Sequence, residues 1–200
     1  MTAPGRATVM NLPNVLTAVR LVLVPVFLAV LFLGGGGEPV ARWCAGAVFA
    51  IAAITDRYDG RIARSRGQVT DFGKIADPIA DKALIGAALI GLSVLGELFW
   101  WITVVILIRE VGITLLRLAI LRYGVIAASR GGKLKTLIQI VAIGLYILPL
   151  GTLPLPAAVL TWGRGALMGA ALALTIGTGI DYLARATALV HRGRRVADTP

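Results

Sequence analysis

The chain has 200 residues, of which 58% are hydrophobic and only 15% charged, with a mean hydropathy of +0.85, too apolar for an ordinary soluble domain of this size. Its formal net charge of +10 comes from basic residues set between apolar runs, a pattern that orients membrane segments and attracts anionic lipid or phosphate, and it excludes nucleic acid as the expected partner. The single cysteine, Cys44, rules out an internal disulfide and sits in an apolar run as a plain core or lipid-facing residue.

In chain order, residues 1–13 form a short mixed juxtamembrane segment. The first apolar span runs from Asn14 to Leu33. Its purest part, Leu21–Leu33, has the length of a signal-peptide core, but Gly34-Gly35-Gly36-Gly37 offers a turn rather than a small-residue cleavage site, so a retained anchor is expected. The second span, Val40–Arg64, starts apolar and ends polar, and the third, Phe72–Leu95, reverses that order. The fourth covers Leu98–Arg122, the fifth Leu134–Leu150 and the sixth Gly165–Leu189, each near the roughly 20 residues that cross a bilayer. Residues 190–200, with His191, read as a solvated tail. Gly165-x-x-x-Gly169 and the pair Gly86 and Gly91 can let helices approach, although among 24 glycines chance spacing is the safer reading. The expected fold is an all-α integral membrane protein, a single domain over 1–200 built as a bundle of six transmembrane helices.

Basic residues fall before span one (Arg6), between spans two and three (Arg57, Arg61, Arg64, Arg66, Lys74), between four and five (Arg122, Arg130, Lys133, Lys135) and after six (Arg192, Arg194, Arg195). The other side has little more than Arg42 and Arg164. The positive-inside rule therefore puts both termini on the cytoplasmic side of the cell membrane. Trp43, Trp100, Trp101 and Trp162 all fall at the opposite span ends, as an aromatic belt would.

Between the second and third spans the acids crowd together. Asp56, Asp59, Asp71, Asp77 and Asp81 are half of the ten acidic residues, and carboxylates near hydrocarbon need a compensating cation. On helices, Asp56 and Asp59 share a face three residues apart, and Asp77 and Asp81 share one four apart. Four hard oxygen donors suit Mg²⁺, Mn²⁺ or Ca²⁺, whereas zinc would want the His and Cys of which the chain has one each. Gly60 and Gly73 leave room for a close approach, and Arg64 is a phosphate-binding candidate. In span four, Glu110, Thr114 and Arg117 form one helical stripe beside Arg109, facing a bundle interior or watery cavity. An internal ion pair of Glu110 with Arg109 or Arg117 is the bland alternative. Lys133 and Lys135 follow at the cytoplasmic edge, where a generic basic loop is the alternative.

The spacing Asp56-x-x-Asp59-Gly60-x-x-Ala63-Arg64, eight residues, then Gly73-x-x-x-Asp77-x-x-x-Asp81 resembles the signature of the CDP-alcohol phosphotransferases, membrane enzymes of phospholipid synthesis, at every fixed position. Arg57-Tyr58 is more polar than the usual pair there, at positions that vary. The resemblance implies that Asp56, Asp59 and Asp77 hold one or two Mg²⁺ or Mn²⁺ ions, with Asp81 completing the site or acting as catalytic base. It also implies that Asp56, Gly60, Ala63 and Arg64 line the CDP site, with Asn14 and Thr17 near the nucleotide, and that the protein is a homodimer. The segments Asn11-Leu-Pro-Asn14-x-Leu16-Thr17-x-x-Arg20, Arg109-Glu110 and Lys133-x-Lys135-Thr136-x-x-Gln139 look like the bacterial members that join CDP-diacylglycerol to sn-glycerol 3-phosphate and release CMP. Arg109, Arg117, Lys133 and Lys135 would then meet the acceptor phosphate in a cytoplasm-facing polar cavity. The rivals are a sister enzyme taking inositol phosphate, a cardiolipin synthase of the same superfamily, and, from another class, a divalent-cation transporter. Transport sites sit near the bilayer midplane, away from span ends.

Overall fold

The structure is a computed structural model that describes residues 12–66, 71–120 and 130–197, with side chains described except at 12–14, 16, 56–66, 71–81, 130, 190 and 192–197. Among the described residues every regular element is helical: α1 (Leu12–Leu31), α2 (Pro39–Arg66), α3 (Asp71–Val94), α4 (Trp100–Ile120), α5 (Arg130–Ile147) and α6 (Ala157–Ala197), with 3-10 turns at Leu33–Gly36 and Leu150–Thr152. The helices match the six apolar runs in order. The acidic stretch is helical on both sides of residues 67–70, and α6 starts eight residues before the expected span. Among the described residues one segment, Ala157–Leu189, is long and apolar enough by length and composition to cross a bilayer, at a mean hydropathy of 1.4. Shorter apolar stretches occupy Thr17–Leu31, Pro39–Thr55 and Lys82–Val94.

The chain divides into two compact units, one of residues 1–98 and 144–153, the other of 99–143 and 154–200. In the first unit α1 packs against both α2 and α3. Phe27 and Phe49, each almost wholly buried, meet with ring centroids 5.8 Å apart, and Ala45 and Ala52 let the α1 and α2 backbones close around them. The expected glycine turn forms: Gly34, Gly35 and Gly36 take φ of 58°, 68° and 77°, a region that costs L-residues with a Cβ. Gly36 is also sterically bound to this role, since a Cβ there would lie 2.5 Å from Leu95 Cδ2. Pro39 follows at the first helical position of α2, where its missing N–H is no loss. At Gly91 an added Cβ would sit 2.9 Å from Leu31 Cδ2, so this glycine does permit α1 and α3 to approach. Gly165 and Gly169 face open space.

α3 ends in a left-handed glycine cap. Gly96 has φ 72°, and the Glu97 amide donates back to the Leu92 carbonyl at 2.9 Å. The cap delivers Glu97 to Arg42, which counts in the sequence only as a basic residue on the external side. In the structure Arg42 is 5% exposed. Its Nε donates to the Ile147 carbonyl at 2.6 Å, Nη2 to Tyr146 at 2.6 Å and Nη1 to Gly36 at 3.1 Å, with Glu97 Oε1 at 3.5 Å. One guanidinium thus satisfies the last carbonyls of α5, the glycine turn and the end of α3 together, and its charge suits a helix C-terminus.

In the second unit α4 packs on α6. Ile120, Tyr182 and Ala186 form its buried cluster, flanked by Ile113, Leu116 and Leu189.

Removing the Arg42 side chain takes the donor away from the buried carbonyls of Ile147, Tyr146 and Gly36. Arg42→Ala is therefore expected to cost about 3 kcal/mol, and Arg42→Lys most of that, because an ammonium cannot span three acceptors with a planar fork. The unfolding midpoint of the detergent-solubilised variants checks both.

Candidate active site

The candidate residues fall in both units. In the first, Thr17 is buried on α1 at 1% exposure, one helical turn before an equally buried Arg20. Asn14 is also on α1, but its side chain lies outside those described. Asp56, Asp59, Gly60, Ala63 and Arg64 belong to a continuous α2, and Gly73, Asp77 and Asp81 to a continuous α3, so the assumed i,i+3 and i,i+4 helical spacings hold in the backbone. Their side chains lie outside the described set. Among the described residues no three His, Cys, Asp or Glu side chains gather as a metal site.

In the second unit a polar cluster stands on α4, α5 and α6. Glu110 Oε1 accepts from Arg109 Nη1 at 3.3 Å and from Lys135 Nζ, which reaches it across 25 positions of sequence. Lys135 is 3% exposed. Thus one of the two lysines read at the cytoplasmic edge is a buried partner of Glu110, while Lys133 is exposed on the same helix. Arg109 Nη2 also donates to Thr178 Oγ1 on α6 at 2.8 Å. That hydroxyl donates in turn to the Leu174 carbonyl at 2.6 Å, the backbone bond that fixes a helical threonine rotamer. Gly179 Cα lies beside the Arg109 stem, where a Cβ would meet Cγ at 3.4 Å.

Arg117, read as a phosphate ligand, is solvent-exposed with its Cζ 5.7 Å from the centroid of the Tyr182 ring, a cation–π contact. Thr114 bonds back to the Glu110 carbonyl at 2.8 Å. The pair of Glu110 with Arg109 that the sequence offered as the structural alternative is present, and Lys135 joins it. Reasoning from sequence assigned nothing to Thr178 or Tyr182, although their spacing of four on one face of α6 was a signal.

Among the described residues of this unit, three buried polar atoms have no hydrogen-bond partner: Arg109 Nε, Gln139 Oε1 and Tyr182 Oη. Gln139 stands four residues after Lys135, on the same face of α5. Buried polar groups left this way cost free energy and mark places that water or a ligand completes.

A family model described as CDP-alcohol phosphatidyltransferase matches residues 10–177. The chain belongs to that family, and the matched region takes in all the candidate residues above except Thr178 and Tyr182. Among curated proteins it is 60% identical over 183 residues to a protein of Mycobacterium tuberculosis called a probable phosphatidylglycerophosphate synthase, a match covering 91% of this chain and 84% of that one. It is 36% identical over 188 residues to the CDP-diacylglycerol–glycerol-3-phosphate 3-phosphatidyltransferase of Bacillus subtilis, covering 88% of this chain and 94% of the relative. The Escherichia coli protein of the same name is 33% identical over 186 residues, covering 89% and 96%.

Glu110 is shared between two cations, so removing one partner is asymmetric in effect. Lys135→Met should lower stability by about 3 kcal/mol, by leaving a half-buried carboxylate beside an apolar side chain. Glu110→Gln in the Lys135→Met background should recover at least a third of the loss, as read from unfolding midpoints of the single and double variants.

Proposed function

We propose that this protein transfers the phosphatidyl group of CDP-diacylglycerol to sn-glycerol 3-phosphate, giving phosphatidylglycerophosphate and CMP at a bacterial membrane. The observation that carries the reading is the match of one family over 168 of the 200 residues, with relatives named for this reaction covered nearly end to end. It is a phosphotransferase reaction: a P–O bond forms to the acceptor hydroxyl, the P–O bond to CMP breaks, and the hydroxyl proton needs a base.

The donor set on α2 and α3 suits a hard divalent ion. Asp56, Asp59, Asp77 and Asp81 offer only carboxylate oxygens, and both stretches are unbroken helix. These four would hold Mg²⁺ or Mn²⁺, which when bound supplies charge neutralisation and Lewis acidity at the pyrophosphate. Asp81 takes the proton from the acceptor hydroxyl. Gly60 and Ala63 keep the nucleotide side of α2 small, Arg64 meets a phosphate, and Asn14 and Thr17 hydrogen-bond the nucleotide.

The acceptor carries a phosphate dianion, and Arg109, Arg117, Lys133 and Lys135 are the cations proposed to receive it. Partner-less Arg109 Nε and Gln139 Oε1 support a polar ligand in the second unit. In this reading Lys135 divides its charge between Glu110 and the acceptor.

The membrane reading gains support from the outward side chains. All four tryptophans are exposed, from 43% at Trp43 to 79% at Trp162, together with Val22, Val40, Phe99 and Ile108 at more than 60%. In water such a surface would aggregate, whereas in lipid it is the solvated face. Six spans with both termini cytoplasmic complete the proposed arrangement.

Purified protein with Mg²⁺ or Mn²⁺ should release CMP from CDP-diacylglycerol when glycerol 3-phosphate is added, with inositol phosphate a poor substitute. Chelation should stop it. Asp59→Asn should reduce turnover by about a thousandfold or more, since it removes a ligand charge at nearly constant size. A preference for inositol phosphate in the same assay reassigns the acceptor.

A further inference from the structure

The first unit contains a second wholly buried guanidinium, and the register of its helices says what it faces. Arg20 is 1% exposed on α1, among the largest fully buried side chains of the protein. A guanidinium so buried needs an anion nearby, because the cost of removing its hydration is otherwise several kcal/mol.

Two sets of contacts fix which anions lie at its level. The tight turn after α1 reverses the chain, and Phe27 of α1 meets Phe49 of α2. Two turns further along both antiparallel helices, Arg20 comes level with position 56. For α3, Gly91 lies against Leu31 and Leu28, and Gly36 lies against Leu95. Both contacts advance in the same direction at an offset near sixty, so α1 and α3 run parallel. The same offset brings Arg20 level with positions 79–83, which bracket Asp81.

Within the first unit the choice of acids is narrow. Apart from Asp56, Asp59, Asp71, Asp77 and Asp81, the acids of residues 1–98 are Glu38 and Glu97. Both lie at the far ends of these helices beside the glycine turn and the α3 cap, roughly 25 Å along the axis from Arg20 at 1.5 Å per residue. Glu97 is already engaged by Arg42.

We propose that Arg20 is the resident counter-cation of the aspartate cluster, a positioning residue that acts through Asp56 and Asp81. Without metal, the guanidinium offsets the mutual repulsion of the carboxylates and holds them together. Asp56 and Asp81 would exchange Arg20 for a divalent ion bound there, and the guanidinium, whose planar fork matches phosphate as well as carboxylate, would then be available to the pyrophosphate. The inference rests on the metal site proposed above, but the pairing of Arg20 with the aspartates is testable without metal.

The test is a stability cycle in chelator on the full-length protein in detergent, comparing wild type, Arg20→Gln, Asp56→Asn/Asp81→Asn and the triple variant, with Mn²⁺ binding then read by electron paramagnetic resonance. Arg20→Gln should lower the metal-free midpoint by at least about 5 °C, and by less than half as much in the Asp56→Asn/Asp81→Asn background. It should bind Mn²⁺ about threefold or more tightly than wild type, because a competing cation is gone. Arg20→Lys, with charge retained, should stay within about twofold of wild type. A purely packing role gives equal losses in both backgrounds and unchanged or weaker Mn²⁺ binding, and either result overturns the proposal. If Arg20→Gln does not fold, folding of the triple variant upholds the pair and its failure overturns it. Should the wild type bind no Mn²⁺, the metal reading falls, while a coupled cycle still upholds the pairing of Arg20 with the aspartates.

Discussion

Charge inside an apolar helical protein is the constraint on which the rest of this structure depends. A cation or carboxylate withdrawn from water must find a partner, and the partner must be brought by the fold. Arg42 shows the complete solution. Its five N–H donors are directed at three backbone carbonyls and one carboxylate supplied by three separate stretches of chain. The glycine turn, the α3 cap and the end of α5 are each shaped so that an oxygen arrives there. The second unit solves the same problem more economically, with Glu110 serving both Arg109 and Lys135.

Short connections then set the depth at which each charge lies. The turn between α1 and α2 spans residues 32–38, and three successive glycines at positive φ let it reverse without a longer loop. A longer connection would let α2 slide along α1. With Phe27 held on Phe49 and Leu31 on Gly91, sliding is blocked by packing on both neighbours. The level of the acidic positions relative to α1 is therefore a consequence of apolar contacts two to three turns away. This is how ordinary core residues take part in a site they do not touch.

Much of this was legible in the sequence. The apolar runs gave the six helices in order, and the four-glycine run read correctly as a turn. The 28-residue α2 was legible too, its polar second half included, since the span read as Val40–Arg64 is helical from Pro39 to Arg66. The partners of Arg42 were not legible, for a physical reason. Counting basic residues to orient spans treats every arginine as solvated, and a guanidinium whose partners are backbone carbonyls over a hundred positions away leaves no mark in local sequence. Lys135 was hidden likewise, because its pairing with Glu110 joins two helices. The cation–π contact of Arg117 with Tyr182 and the bond of Arg109 to Thr178 depend on the packing of α4 on α6, which no periodicity within either helix specifies.

The contrast between buried Arg42 and partly exposed Arg109 carries the last step. Around Arg42 every nitrogen has an acceptor, which is what a group selected for stability should show. Arg109 is partnered at Nη1 and Nη2 but its buried Nε is not, and Gln139 Oε1 and Tyr182 Oη are left unsatisfied in the same unit. Folding alone gives no reason to keep three such groups, since apolar residues of similar size would remove their cost. Water or a ligand can supply each missing partner. A phosphate offers acceptors to Arg109 Nε and the Tyr182 hydroxyl, while Gln139 Oε1, an acceptor itself, calls for a hydroxyl or a water.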